Sequence, residues 1–223
     1  MKRTMIIVAM TEKYLGLCIL AYDSKNKEIC RLVPNESGNN NAIPYDYCVG
    51  ENELEVGSII EINVIKQDSS RNSKENYIID TNECYNKKGK INREQIQEII
   101  KYKKYDWILG SRGRIIGANR VTYQSIQIAE IKKAKIIVKI PKYIRNQDYC
   151  NVRLDFSYGG VDYKNFPVKD IEIFRKLQHK ENTEIIIGDC TAIFSRTQKK
   201  RKNQYCKLVA CILININELS EGV

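Results

Sequence analysis

The sequence predicts a mostly β chain that folds into small barrels or sandwiches. Two observations lead to this prediction: short runs of alternating apolar and polar residues recur along the chain, and helical periodicity is clear in only one stretch. Polar, turn-rich stretches separate the runs, which argues against a parallel α/β sheet. The predicted strands span residues 4–10, 17–22, 28–33, 58–66, 76–80, 135–140, 152–158, 161–166, 184–194 and 205–214.

Several connections between these strands have the composition of turns or loops. Residues 23–27 and the Gly159-Gly160 pair predict hairpin turns, since paired glycines adopt the positive φ that such turns require. Residues 34–54 and residues 66–75 predict loops because they are polar and, in the first case, rich in Asn, Gly and Pro. The first loop is long enough to have a function of its own.

Residues 91–102 show the clearest helical period. Ile96, Ile99 and Ile100 share one face of this predicted helix, and Asn92 is placed to cap its first turn. A second helix is predicted over residues 168–177. Because the first helix separates two strand-rich halves, we expect three regions: a first barrel over 1–90, a helical linker with glycines and arginines over 91–120, and a second barrel over 121–223.

Cysteine and histidine usage argues against a zinc site. The eight cysteines include no Cys-x-x-Cys pair, and the chain has one histidine, His179, which we expect in an exposed loop. Most cysteines lie in apolar runs and are expected to behave as small hydrophobes, with a redox or nucleophilic role as the alternative. No metal, cofactor or catalytic residue is predicted.

Acidic residues in the second half follow no metal-ligand spacing. Asp189 stands out because Gly188 precedes it inside an otherwise apolar strand, which indicates a buried or bulged acid with a structural hydrogen bond. A nuclease would therefore have to assemble its carboxylates in three dimensions. The scattered acids are Asp148, Asp155, Asp162, Asp170 and Asp189.

The chain is basic, with a formal net charge of +10 and a pI near 9.1. This charge favours a polyanionic partner such as nucleic acid or an anionic membrane surface. An alternative is that lysine-rich usage reflects an A/T-rich gene. No apolar run approaches the ~18 residues of a membrane span, and the basic-then-apolar start is too short for a signal peptide. We therefore expect a cytoplasmic protein without a membrane partner.

Seven short motifs follow one another along almost the whole chain. They are MKRTMIIVA over 1–9, GLC over 16–18, RLVPN over 31–35, VGSIIEI over 56–62, GANRV over 117–121, VRL over 152–154 and YCKLVA over 205–210. This ordered set resembles the bacterial dual OB-containing domain family. The resemblance implies two OB-like barrels joined by a helical linker, a nucleic-acid-binding role and no catalytic motif.

Two positions depart from the family pattern. Leu17 stands where a basic or polar residue is expected between the glycine and the cysteine of the second strand. Gly57 stands where an acidic residue often precedes the strand that follows. These departures weaken the expectation of a phosphate contact from the second strand, although they leave the expected fold intact.

Residues 107–117 (WILGSRGRIIG) combine glycines with Arg112 and Arg114. Exposed backbone N–H groups and planar guanidinium groups together suit phosphate oxygens. The run lacks the Gly-Lys-Ser/Thr of a phosphate loop and the context of a dinucleotide fingerprint. The alternative is an interdomain linker whose arginines pair with acidic neighbours.

Aromatic and basic residues on strand faces are the other candidates, because OB barrels bind oligonucleotides across such a face. Tyr158 and Tyr163 flank the paired glycines, where they either stack on bases or pack against each other across the hairpin. Arg153 alternates with apolar residues and therefore points outward. Arg31 is predicted to be either a ligand contact or a solvated side chain.

Residues 196–207 (RTQKKRKNQYCK) place consecutive cations between two predicted strands. They form either a solvated hairpin tip or the edge of a nucleic-acid site. The complete set of predicted nucleic-acid-binding residues is Arg31, Arg112, Arg114, Arg120, Arg153, Tyr158, Tyr163, Arg196, Lys199, Lys200, Arg201 and Lys202.

These observations predict a non-enzymatic module that binds single-stranded or structured RNA or DNA with little sequence readout. One alternative is a protein-interaction or regulatory module that partners a larger effector protein. A second alternative is a metal-dependent nuclease that uses Asp155 or Asp189.

Overall fold

The computed structural model describes residues 1–13, 16–35, 41–48, 53–68, 74–101, 103–117, 125–139, 151–180, 182–197 and 204–220. The chain forms two compact units, Met1–Lys101 and Tyr102–Val223. Strands dominate the described part of both units, which confirms the mostly β prediction.

The first unit contains a closed five-stranded barrel. Its strands follow the order β1-β2-β3-β6-β5, and β5 pairs back onto β1. The β3–β6 pair is parallel, whereas the other barrel pairs are antiparallel. The elements are β1 (Lys2–Lys13), β2 (Gly16–Asp23), β3 (Glu28–Pro34), β4 (Ile43–Pro44), α1 (Tyr45–Cys48), β5 (Ser58–Gln67), β6 (Asn76–Ile79), β7 (Asn86–Lys90) and α2 (Arg93–Ile99).

Helix α2 begins where the sequence predicts. The Asn92 side chain accepts a hydrogen bond from the Gln95 backbone N–H at 2.8 Å, and Gln95 Oε1 accepts one from the Asn92 backbone N–H at 2.9 Å. This reciprocal capping box satisfies two N–H groups that the first turn leaves without helical partners. Ile96 and Ile100 are buried, as their shared face predicts.

Gly57 lies at a position that only glycine fits. Its φ is +96°, and a Cβ added there would overlap the backbone carbonyl oxygen of Ile91. Its own N–H donates to the Ile7 carbonyl at 2.8 Å, while its carbonyl accepts from Ile91 N–H at 3.0 Å. These contacts require a glycine at this position of the chain. Leu17, the other departure, is buried.

The second unit is a six-stranded antiparallel sheet curved into a half-open barrel, with the order β11-β10-β9-β12-β13-β8. A single parallel bridge between Val168 and Val209 brings the end of β11 to β13. Its elements are a 3-10 turn (Ile108–Gly110), β8 (Ile115–Gly117), β9 (Ile126–Lys139), β10 (Asn151–Tyr158), β11 (Val161–Pro167), α3 (Ile171–Leu177), β12 (Glu184–Arg196), β13 (Gln204–Leu213) and a second 3-10 turn (Ile216–Ser220).

Four aromatic rings form the centre of this second unit. Phe156 stacks on Tyr163, with ring centroids 5.0 Å apart and planes 7° apart. The centroids of Phe166 and Phe194 lie 5.3 Å and 5.2 Å from that of Phe156. All four side chains are buried, as alternation along β10 predicts for Phe156.

A bulge interrupts the β9–β12 pairing. Gly188 has a φ of +85° and Lys133 a φ of +52°, and the register shifts on both sides of Gly188. The exposed carboxylate of Asp189 accepts a hydrogen bond from the Lys133 backbone N–H at 3.1 Å. Asp189 is therefore a bulged acid with a structural hydrogen bond, one of the two arrangements that the sequence indicates.

The segment over residues 91–120, predicted as a linker, contributes to both units. Helix α2 lies in the first unit, whereas Ile108, Leu109 and Ile116 belong to the hydrophobic core of the second. Among the described residues, none of the helices combines the length and the apolar character that spanning a membrane requires.

Candidate nucleic-acid interface

Residues 103–117, here called the cap segment, lie across the second unit. Ile108, Leu109 and Ile116 anchor the segment because their side chains are buried in the barrel core. At Gly159, in the β10–β11 turn, φ is +58° and an added Cβ would lie 2.8 Å from the Asp106 carbonyl oxygen. The cap segment is therefore packed closely onto the β10–β11 hairpin.

Polar side chains of the sheet hold the backbone of the cap segment. The Tyr105 N–H donates to the Tyr158 hydroxyl at 2.9 Å, and the Ile108 N–H donates to the Tyr163 hydroxyl at 3.3 Å. A third bond runs from the Leu109 N–H to Gln127 Oε1 at 2.5 Å. Strands β9, β10 and β11 thus each provide one acceptor to the segment.

Lys207 on β13 holds the same segment through three further hydrogen bonds. Its Nζ donates to the carbonyl oxygens of Ile108 at 2.5 Å and Ser111 at 2.6 Å, and its backbone N–H donates to Arg114 at 2.9 Å. The side chain is fully buried, and this burial lowers the pKa of the ammonium to about 8.

The cap segment exposes two aromatic rings beside positive charge. Tyr105 is 39% exposed and Trp107 is 38% exposed. The Arg112 guanidinium carbon lies 5.8 Å from the centroid of the Trp107 ring, within the range of a cation–π contact. Lys103 and Lys104 are also exposed. This surface therefore offers ring faces and cations together.

Two further arginines, Arg114 of the cap segment and Arg153 of β10, are half-buried. Arg114 Nη1 donates to the Asn165 carbonyl at 3.1 Å, while Arg153 Nη2 donates to Asn151 Oδ1 at 3.4 Å. Burial and, next, the positive charge of Arg114 lower the pKa of Arg153. Two cations are thus close enough to repel each other, an arrangement that a bound anion would relieve.

These arginines are not paired with acids in the described part of the chain. No carboxylate there lies within ion-pair distance of Arg112, Arg114 or Arg153. The nearby Asp155 instead accepts a hydrogen bond from the Asn165 backbone N–H at 2.6 Å. Within the described ranges, the alternative pairing of these arginines with acidic neighbours is therefore not found.

The hydroxyls of Tyr158 and Tyr163, the two candidates for base stacking or hairpin packing, accept hydrogen bonds from the cap segment. Tyr163 is 2% exposed and its ring stacks on Phe156, so it has no free face in this structure. Tyr158 is half-buried, and its hydroxyl accepts from Tyr105. Packing inside the hairpin is the arrangement found for Tyr163.

Arg31, predicted on the first barrel as a ligand contact or a solvated side chain, is 2% exposed. Its Nη1 lies 3.3 Å from Asn76 Oδ1 and 3.5 Å from Glu75 Oε1. These contacts link β3 to the start of the parallel strand β6. The Arg31 guanidinium therefore stabilises the pairing of β3 with β6 and is not exposed to solvent.

Arg196 is likewise buried. Its guanidinium carbon lies 5.1 Å from the centroid of the Tyr205 ring, and its Cα is the cross-strand partner of that of Lys207. The other predicted contacts, Arg120, Lys199, Lys200, Arg201 and Lys202, lie outside the described residues.

The sequence patterns do not single out Tyr105, Gln127 or Lys207, and they indicate no role for Trp107. One signal was available for Lys207, because alternation along the predicted strand 205–214 places it on the same face as Val209, which is buried. No comparable signal existed for Gln127, whose part depends on a contact with the distant Leu109.

Three of the seven described thiols are buried, as the sequence predicts for small hydrophobes, whereas Cys84 and Cys206 are exposed. Cys30, Cys48 and Cys211 are buried, and burial raises the pKa of Cys48 and of the half-buried Cys190 to about 12. His179 is exposed in a turn, as expected. Within the described residues, no group of three or more His, Cys, Asp or Glu side chains is arranged to hold a metal ion.

Comparison with known proteins supports the architecture. No curated protein and no solved structure matches the chain. The model of the family described as the dual OB-containing domain matches residues 3–212, which span both units. The closed barrel of the first unit and the half-open barrel of the second agree with this match. The chain belongs to the dual OB-containing domain family.

Proposed function

We propose that this protein is a non-enzymatic module that binds single-stranded or structured RNA or DNA with little sequence readout. The observation that carries the proposal is the exposed surface of the cap segment, where Trp107 and Tyr105 lie beside Arg112. Arg114 and Arg153 continue that surface without a described carboxylate partner. The proposed setting is the cytoplasm, which suits seven free described cysteines.

The surface suits both parts of a nucleic-acid strand. Bases stack on exposed rings regardless of their identity, because every base has a π-face. Guanidinium groups bind phosphate oxygens through short, charge-assisted hydrogen bonds. Neither interaction reads the hydrogen-bonding edges of the bases, so we expect weak sequence preference.

Two acids considered for a nuclease have structural hydrogen bonds that support the non-enzymatic proposal. Asp155 accepts from the Asn165 backbone N–H, and Asp189 accepts from the Lys133 backbone N–H. Incubation of the protein with labelled oligonucleotide and Mg²⁺ tests this part. Degradation that disappears in Asp155→Ala or Asp189→Ala would contradict it.

Removal of the three candidate phosphate contacts should reduce the salt dependence of binding. In the triple variant Arg112→Gln, Arg114→Gln, Arg153→Gln, the slope of log K against log salt on a single strand should fall by roughly 2, since each phosphate contact contributes about 0.7. A matched variant, Lys169→Gln, Arg175→Gln, Lys176→Gln, removes the same charge near α3 and should change the slope much less. Equal losses in both variants would mean that only net charge matters.

The aromatic part of the surface has its own test. Trp107→Ala should lower single-strand affinity by roughly 5-fold to 150-fold, because stacking contributes about 1–3 kcal/mol per base. Trp107→Phe retains a ring and should recover much of the loss. Similar affinities for the alanine variant and the unmodified chain would exclude stacking on Trp107.

The consecutive cations between β12 and β13 remain a separate prediction. If Lys199, Lys200, Arg201 and Lys202 each neutralise one phosphate, their replacement by alanine should lower the single-strand salt slope by about 3. An unchanged slope would exclude them from the site. If the unmodified chain retains no labelled oligonucleotide even at low salt, the result would favour a protein effector as the partner.

A further inference from the structure

Lys207 is unusual because its ammonium is fully buried at the inner face of the barrel. Burying an isolated charge is costly, so a buried lysine needs strong partners. Its Nζ has two hydrogen bonds at 2.5 Å and 2.6 Å, and both acceptors are carbonyl oxygens of the cap segment. The ammonium is therefore solvated by the cap segment itself.

The turn that receives these bonds is strained. Leu109, between the two acceptors Ile108 and Ser111, has a φ of +46° and a ψ of +42°. This left-handed conformation is unfavourable for a residue with a branched side chain and costs on the order of 1 kcal/mol or more. The turn therefore requires support from outside the segment.

The same turn positions the exposed ligand-binding groups. Trp107 immediately precedes the acceptor Ile108, and Arg112 immediately follows the acceptor Ser111. Trp107 and Arg112 lie together across the turn at 5.8 Å. A side chain that fixes both ends of the turn thus also fixes the distance between the ring and the guanidinium group.

We propose that Lys207 is a positioning residue: the two hydrogen bonds from its buried amino group hold the cap segment against the barrel and thereby set Trp107 and Arg112 in the arrangement that binds nucleic acid. The ligand-binding part of this inference rests on the proposed function. The part that concerns the position of the cap segment does not rest on the proposed function, because it depends only on contacts within the second unit.

The inference has a defined pH dependence. Burial lowers the pKa of Lys207 to about 8 with the segment closed, while an exposed lysine in an opened segment titrates near the ordinary value. Between these two values the closed form binds fewer protons, so closure becomes more favourable as the pH rises. The equilibrium constant for opening of the cap segment should decrease on the order of tenfold from pH 7.5 to 9.5.

The groups that face Lys207 do not reverse this direction. Arg196 is its cross-strand partner on β12, and the Arg114 carbonyl accepts from its backbone N–H. A guanidinium charge near an ammonium disfavours the ammonium, as burial does. From β11, Tyr163 lies beside the same turn, and burial raises the pKa of its hydroxyl. Gln127 on β9 does not titrate.

Trp107 is the only tryptophan in the chain, so its fluorescence reports the cap segment directly. In the full chain without nucleic acid, acrylamide quenching of Trp107 should decrease from pH 7.5 to 9.5. Lys207→Met should increase quenching and abolish this pH dependence. Lys164→Met on the exposed surface of β11 is the matched control and should do neither.

The outcomes separate this inference from the proposed function. Lys207→Met should also lower single-strand affinity by roughly tenfold, whereas Lys207→Arg, which keeps hydrogen-bond donors at this position, should lose less. Increased quenching in a protein that never binds oligonucleotide would support the positioning role and refute nucleic-acid binding. Lower affinity with unchanged quenching would overturn positioning. If Lys207→Met fails to fold, pH-independent quenching in the unmodified chain would overturn the inference.

Discussion

Phe156→Ala is expected to destabilise the second unit by about 3–5 kcal/mol, the usual cost of removing a buried phenylalanine ring. Phe156 contacts three other aromatic rings: it stacks on Tyr163 and lies close to Phe166 and Phe194. Alanine would leave a cavity that strands β10, β11 and β12 cannot all close at once. Denaturant unfolding followed by Trp107 fluorescence measures this effect because Trp107 lies in the same unit.

Phe156→Leu is the matched control for the loss of this ring. It retains most of the apolar volume but loses the stacked geometry, so its cost should be clearly smaller than that of alanine. A loss below about 1 kcal/mol for Phe156→Ala would show that the four rings do not form the central support of the second unit.

Gly57→Ala should have a comparable effect on the first unit, about 2–4 kcal/mol, through a different cause. The positive φ of Gly57 disfavours any side chain, and the added Cβ would overlap the Ile91 carbonyl oxygen. Removing this overlap requires the chain between β7 and α2 to move. That movement would stretch the hydrogen bond from the Ile91 N–H to the Gly57 carbonyl. Hydrogen exchange of the β1 and β5 amides measures the change in unfolding free energy.

Gly89→Ala provides a close control for this effect. Gly89 lies in β7 of the same unit, and a Cβ added there meets no heavy atom within 4 Å. The substitution should therefore be nearly neutral. Equal destabilisation by Gly57→Ala and Gly89→Ala would mean that the close approach at Ile91 relaxes at little cost.

Most strands that contain several apolar residues were predictable from the sequence, whereas a strand without them was not. β5 alternates along most of its length and was found from the sequence. β7 consists of Asn, Lys and Gly and contains no apolar residue, so only its backbone pairing with β5 defines it. The first half of β9 was missed before the bulge at Lys133, where the regular alternation along the strand breaks.

The candidate site was partly predictable for a similar reason. The arginines of the cap segment were recognised from their spacing with glycines, because that information is local. The location of the segment was not predictable from the sequence, since it depends on buried contacts with Gln127 and Lys207, which lie later in the chain. The same limit explains Arg31: its partners Glu75 and Asn76 become neighbours only when β3 pairs with β6.

The order of the cap segment in the chain has a consequence for biosynthesis. The segment precedes the strands that hold it, and Lys207 follows its acceptor Ile108 by 99 positions. At 5–20 residues per second, a ribosome needs roughly 5–20 seconds to make that interval. During this time the apolar side chains of Ile108, Leu109 and Ile116 lack the complete set of strands that buries them. We therefore expect nascent chains stalled before β13 to engage chaperones through this stretch.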